Sequence, residues 1–235
     1  MVEFIVILPV LLLLTLGIIQ FAQIYIAKNT LDLAAFEGVR EGTLNNASSK
    51  SIKCGIAQGL MPLFGGNETP NATGAIAAGV LCGFQLGGPL RYIAAFSKAA
   101  LAVNNPIPGA PLGLGEYGAV DLKILNPTSA DFTAFGEDID SHKEIPNARL
   151  MWRSDQVNSS AGMNIQDANL LMINVQYCYP MDVWFIKQVV QGLAIGANKL
   201  IGGQTGFGTE CYTAGGVPLV AQTTMLMQSP AIQGD

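Results

Sequence analysis

The chain opens on an uninterrupted apolar run. Phe4-Ile-Val-Ile-Leu-Pro-Val-Leu-Leu-Leu-Leu-Thr-Leu-Gly-Ile-Ile leads into Gln20-Phe-Ala-Gln-Ile-Tyr-Ile-Ala, and no charged residue stands between Glu3 and Lys28. About twenty apolar residues in helical form span the hydrocarbon core of a bilayer, so this run is long enough to cross one. Beyond Lys28 the pattern changes without ending. Ile24, Leu31, Ala35 and Val39 recur at steps of four or seven, while Lys28, Asp32, Glu37, Arg40 and Glu41 fall elsewhere around the helix. The pattern predicts one helix from about residue 4 to about residue 41, roughly 55 Å long. Its first half is apolar all round and its second half is amphipathic.

Three residues interrupt the regularity of this helix. Glu3 stands at the edge of the apolar run, where a carboxylate is costly unless it meets water, headgroups or a cation. It is either an acid favouring the positive end of the helix dipole or a partner for the α-amino group of a neighbouring subunit. Pro9 removes one backbone donor and is expected to kink or melt the helix between Ile5 and Pro9. Gly17 permits close approach of a second helix, a weak signal on its own.

Downstream the periodicity alternates between helix and strand. After a polar turn at 43–49, Ile52, Ile56 and Leu60 predict a second helix, ended by Pro62 and Gly65-Gly66. Residues 72–83 are small and apolar and are expected to pack closely against another helix, and 88–103 predict a third. From Asn104 to Gly118 proline and glycine mark an ordered loop. Ala119 to Leu125 alternate as a strand, 128–144 read as a polar loop, and Ile145 to Trp152 as a second strand. Leu170 to Tyr179, closed by Pro180, is the strongest strand signal. A helix near 182–200 follows, with Trp184, Ile186, Val189, Val190 and Leu193 on its apolar face. Then come a flexible glycine link at 202–208 and a final strand at 217–228. The class is α+β: a long apolar helix (residues 1–42), then a head (43–235) with several helices and a mainly antiparallel sheet.

Composition narrows the function. Of 235 residues half are hydrophobic and 12% charged, with a net charge of −5. So few basic residues argue against nucleic-acid binding. Cys54, Cys82, Cys178 and Cys211 have no CxxC spacing, and with a single histidine in the chain a structural zinc site is not expected. In an extracytoplasmic head they predict disulfides. Three connectivities are open besides four free thiols. The local pairs Cys54–Cys82 and Cys178–Cys211 are favoured, each closing a loop of about thirty residues worth roughly 3–4 kcal/mol in the chain-entropy model.

Catalytic patterns are scarce. A Ser-His-Asp triad would have to recruit His142 from a polar loop, and no GxSxG elbow accompanies it. The glycine runs at 83–88 and 202–208 match neither a P-loop nor GxGxxG between a strand and a helix. Asp131, Glu137, Asp138, Asp140 and Glu144 surround His142 in sequence but lack EF-hand spacing, so a solvated acidic loop is preferred to a Ca²⁺ site. Asn46, Asn67, Asn71 and Asn158 begin glycosylation sequons, read as mostly coincidental. No cofactor, metal or catalytic residue is assigned.

Val2 to Gly42, VEFIVILPVLLLLTLGIIQFAQIYIAKNTLDLAAFEGVREG, resembles the amino-terminal helix of TadE-like pilins and pseudopilins of tight-adherence (Tad) systems, relatives of type IV pilins. IPNARLMWRS, NIQDANLLMINVQYCYP and GVPLVAQTTMLMQSPA are similar to blocks of gammaproteobacterial members, so the resemblance covers 2–42 and patches of 145–230. Cys178 inside the second block departs from them. The resemblance implies a short basic leader removed by a prepilin peptidase, with the chain from Met1 being the processed form or nearly so. In the wider family the characteristic acid is usually the fifth mature residue, whereas here it is third. The implied role is a structural subunit: anchored in the inner membrane before assembly, then polymerising with copies of itself, other pilins and the pilus machinery into an extracellular filament. A minor pilin that initiates or tips a filament, and a single-span anchored binding protein that never polymerises, are the alternatives.

Overall fold

The computed structural model describes residues 2–65, 81–83, 90–104, 118–139, 141–181 and 206–234, with isolated positions at 76, 79, 188, 192 and 196; side chains are described from residue 7. The first helix, α1 (Val2–Leu44), is unbroken through Pro9, so the melting expected between Ile5 and Pro9 does not occur. The reason is positional. The first four N–H groups of any helix lack intrahelical acceptors, so a proline one turn further in costs a single additional bond.

The two halves of α1 have different surroundings. From Ala27 onward one face is the spine of the core, with Ala27, Leu31, Ala34, Ala35 and Val39 fully buried and Ile24 packed at its edge. That face is the one the step of four or seven marked. Asn46 and Ala47 adopt left-handed φ values of 58° and 60° and reverse the chain into α2 (Ser49–Leu60). The second helix runs antiparallel to α1, with Gly42 against Ile52, Gly38 against Ile56 and Gly59 against Ala34. A short 3₁₀ turn at Met61–Phe64 ends it, and α3 (Leu90–Asn104) buries Phe96, Ala99, Ala100 and Val103.

The main sheet has three antiparallel strands: β1 (Ala119–Asn126), β4 (Leu170–Pro180) and β5 (Gly216–Leu226), in the order β1-β4-β5. Alternation sets its faces. Leu171, Ile173, Val175 and Tyr177 of the central strand are buried, and their register partners Leu122, Val120, Ala221 and Leu219 lie on the same side. This face meets α1, completing a helix-on-sheet core.

The span 128–144, expected as a polar loop, is structured. Thr128 and Asp131 form a reciprocal capping box that starts α4 (Ser129–Phe135), and β2 (Glu137–Ile139) pairs with β3 (His142–Ile145). The strand expected at 145–152 stops at Ile145, because Pro146 has no N–H to continue a ladder and Arg149 turns left-handed with φ 57°. Leu150–Trp152 form a 3₁₀ turn instead. A one-turn helix, α5 (Ile165–Ala168), is capped by the Asn164 side chain and leads into β4. Two further elements were not anticipated. The end of the glycine link opens a helix, α6 (Phe207–Ala214), and β6 (Ala231–Ile232) joins β3 in a second small antiparallel sheet. The helix expected at 182–200, the close packing at 72–83 and the loop at 105–117 fall largely or wholly outside the described residues.

Candidate assembly surface of the long helix

The residues singled out for assembly sit on α1. The side chain of Glu3 lies outside the described residues; Pro9 is inside the helix, and a Cβ added to Gly17 would meet nothing within 4 Å. Around Pro9 and Gly17 the helix is bare. Leu11, Leu14, Ile18, Phe21 and Tyr25 are all exposed, and the helix holds an 18-residue window of mean hydropathy 2.2. By length and composition it can cross a membrane.

The apolar exposure continues past the first charge. On the side of α1 turned away from the core, Leu33 is 51% exposed, Phe36 43% and Leu44 50%. Polar groups are interleaved with them: Lys28 pairs with Asp32, and Arg40 lies 3.8 Å from Glu37. Both pairs are solvent-facing and contribute little to stability.

Residues 1–40 match the family model described as TadE-like protein. The N-terminal region of the chain is TadE-like. No curated protein and no solved structure matches the chain. The TadE-like region takes in the apolar run, Leu33 and Phe36, and stops two residues before Gly42; the downstream blocks at 145–230 lie outside it.

Features that sequence reasoning missed hold α1 to the head. The first is a pair of facing small-residue notches, Gly38 with Gly42 on α1 and Gly55 with Gly59 on α2. Each pair is spaced by four, the signature of close helix approach, and that spacing was visible in the chain. The second is a clasp at the end of α1. Its Thr43 carbonyl accepts from the backbone N–H of Gln228 and Ser229 and from the Ser229 hydroxyl (3.1, 2.9 and 3.0 Å). The Ser229 Oγ in turn accepts from Asn46 N–H at 2.8 Å, and Asn46 Nδ2 donates to the Pro230 carbonyl at 2.7 Å. The Met-Gln-Ser-Pro block thus satisfies an orphan carbonyl at a helix C-terminus, and the Asn46 sequon is consumed by it.

The cysteines are joined as Cys54–Cys82 and Cys178–Cys211, with Cα–Cα distances of 5.3 and 5.5 Å. The second bond ties the end of β4 to α6 under Gly216, where an added Cβ would lie 2.5 Å from Cys178 Sγ. Of the acids grouped around His142 in sequence, Asp140 lies outside the described residues, and Glu137 stands opposite Glu144 on the β2–β3 hairpin. Asp131 is buried, accepting 2.7 Å bonds from Thr128 N and Oγ1, and Glu137 faces Arg153 at 3.5 Å. Among the described residues no group of three or more His, Cys, Asp or Glu could hold a metal ion.

Proposed function

We propose that the chain is a pilin-like structural subunit that polymerises through α1 into a type IV or Tad-like filament. The observation that carries this reading is the apolar face of α1 continuing beyond any membrane span. A hydrocarbon core about 30 Å thick takes up about twenty residues, which places its far edge near Ile26. Leu33, Phe36 and Leu44 lie beyond that edge, about 10, 15 and 27 Å further along at 1.5 Å per residue. An anchor needs no apolar surface there. A bundle of copies would bury it, each half-covered side chain contributing on the order of 1 kcal/mol when closed off from water.

Before assembly the first half of α1 sits in the inner membrane and the head, with its two disulfides, faces the oxidising side. On assembly the helices exchange lipid for each other. Glu3 pairs with the amino terminus of the incoming subunit and sets register, because a charge left unpaired in such a core costs several kcal/mol. The TadE-like region adds the Tad pilus machinery as the processing and assembly context.

The test is electron microscopy with mass spectrometry on filaments sheared from producing cells without detergent. A dominant species corresponding to this chain, with both disulfides, supports a major subunit. A minor share beside a smaller pilin makes it an initiating or tip subunit. Recovery only by detergent, with no filament containing the chain, refutes polymerisation.

A further inference from the structure

The head carries an apolar projection at one pole, and the hydrogen bonds locate that pole. Residues 228–232 bond to Thr43 and Asn46 at the end of α1, β6 pairs with β3, and Gln233 N–H donates to the Lys143 carbonyl. From β3 the chain passes to Pro146, whose carbonyl accepts from Asn169 Nδ2, and to the 3₁₀ turn at 150–152. Segment 142–153 is therefore tied to the C-terminal end of α1, about 22 Å beyond Lys28 at 1.5 Å per residue. With the first half of α1 in a membrane, this is the membrane-distal pole, so lipid is not what the projection meets.

The projection is Met151 and Trp152, 89% and 84% exposed, with Val157 exposed further along the same segment. It is held in place. Gln166 Nε2 donates to the carbonyls of Leu150 and Arg153 (3.0 and 3.2 Å), and Trp152 N–H closes the turn on the Arg149 carbonyl at 2.9 Å. Arg149 and Arg153 flank the apolar pair. Arg153 faces Glu137, whereas Arg149 is exposed and has no acidic partner among the described residues. Trp, Met and Arg are the side chains enriched in protein interfaces, and a fixed aromatic anchor beside a free cation calls for an apolar surface edged with acids.

The outward face of α1 offers the apolar part of that surface and one acid. Leu33 and Phe36 are exposed there; Asp32 is already paired with Lys28 and Glu37 with Arg40, while Glu41 pairs with no base among the described residues. The two surfaces lie on different parts of one chain, a pole and a flank. A contact between unlike surfaces of identical subunits does not close on itself unless the rotation completes a ring, and otherwise builds a helical filament. We propose that Arg149, Met151 and Trp152 of one copy seat on the Leu33–Phe36–Glu41 face of α1 in a second copy. This deepens the polymerisation reading and rests on it.

The experiment is site-directed cross-linking in filaments sheared from cells that express full-length variants. Met151→Cys with Phe36→Cys in one chain should give a ladder of disulfide-linked multimers on non-reducing gels, while each single substitution gives none. Trp152→Ser and Arg149→Asn should each lower filament recovery tenfold or more while the membrane pool of subunit stays constant. Asparagine tolerates the left-handed φ at position 149, so folding is preserved. If wild-type filaments form but the double-cysteine chain gives no ladder and both polar variants assemble normally, the inference falls and polymerisation stands. If the Trp152→Ser chain assembles fully and the cysteine at 151 cross-links only to a different protein, the pole is a partner site and the inference falls. If the wild-type chain forms no filament, both readings fall together.

Discussion

Gly59→Ala tests the packing that joins α1 to the head. A Cβ at position 59 would fall on the Cα of Ala34, and would lie 2.9 Å from its Cβ and 3.1 Å from its N. None of these atoms belongs to a flexible side chain, so relief requires the two helices to move apart. Overpacking of this kind costs about 1–3 kcal/mol, and contact with backbone places this site toward the upper end. Alanine returns about 1 kcal/mol through its better helix propensity. The net expectation is a loss of about 2 kcal/mol, or about 4–8 °C in Tm for a chain of this size. Gly55→Ala should behave alike, because its Cβ would sit 2.7 Å from the Glu37 carbonyl oxygen and 2.8 Å from Gly38 Cα. Gly17→Ala, with nothing within 4 Å, is the control and should leave the transition unchanged or raise it slightly. The assay is thermal unfolding of the detergent-solubilised chain by circular dichroism, disulfides intact. A Tm at or above wild type for Gly59→Ala would refute the close-approach argument.

Other expectations can be checked in the same preparations. Replacing Cys178 and Cys211 together by serine opens a loop of sequence separation 33 and should cost about 3–4 kcal/mol in the chain-entropy model, read as a lowered Tm. Ser229→Ala removes one donor and one acceptor from the clasp and should cost about 1–2 kcal/mol, with faster amide exchange confined to the end of α1 and the turn after it. Glu3→Gln should leave membrane insertion intact and sharply reduce filament yield, and normal yield would sink the register role proposed for Glu3. Asn46 should remain unmodified in intact-mass spectra, because its amide already serves the Pro230 carbonyl.

How far the chain could be read depended on the range over which each signal acts. The α1 core face was legible because Leu31, Ala35 and Val39 obey a local period, and burial follows directly from it. The strong alternation at Leu170 to Tyr179 survives for the same reason. The span 128–144 was misread because its charges suggested solvent, while Asp131 was acting as a capping acid three residues after Thr128. The strand expected at 145–152 failed on Pro146 and on the left-handed Arg149, the first a visible breaker that was underweighted. The clasp lay beyond any local reading, since Thr43 and Ser229 are 186 residues apart. The outward face of α1 beyond Lys28 was legible in composition, but its exposure appears only once α2 and the sheet have taken the opposite side.

The clasp joins residues from opposite ends of the chain. The helix α1 can enter a membrane as soon as its own residues are made, yet its end is completed by residues 228–232. Bonds across so long a separation form late, because loop-closure entropy opposes them until the intervening core exists. A chain interrupted after Leu226 would thus insert its anchor but leave the Thr43 carbonyl and the Asn46 turn without their protein partners. The junction between rod and head would fray, and the spacing between anchor and head surface would be lost. The stiffness of that junction therefore depends on residues 228–232, the last part of the head to be made.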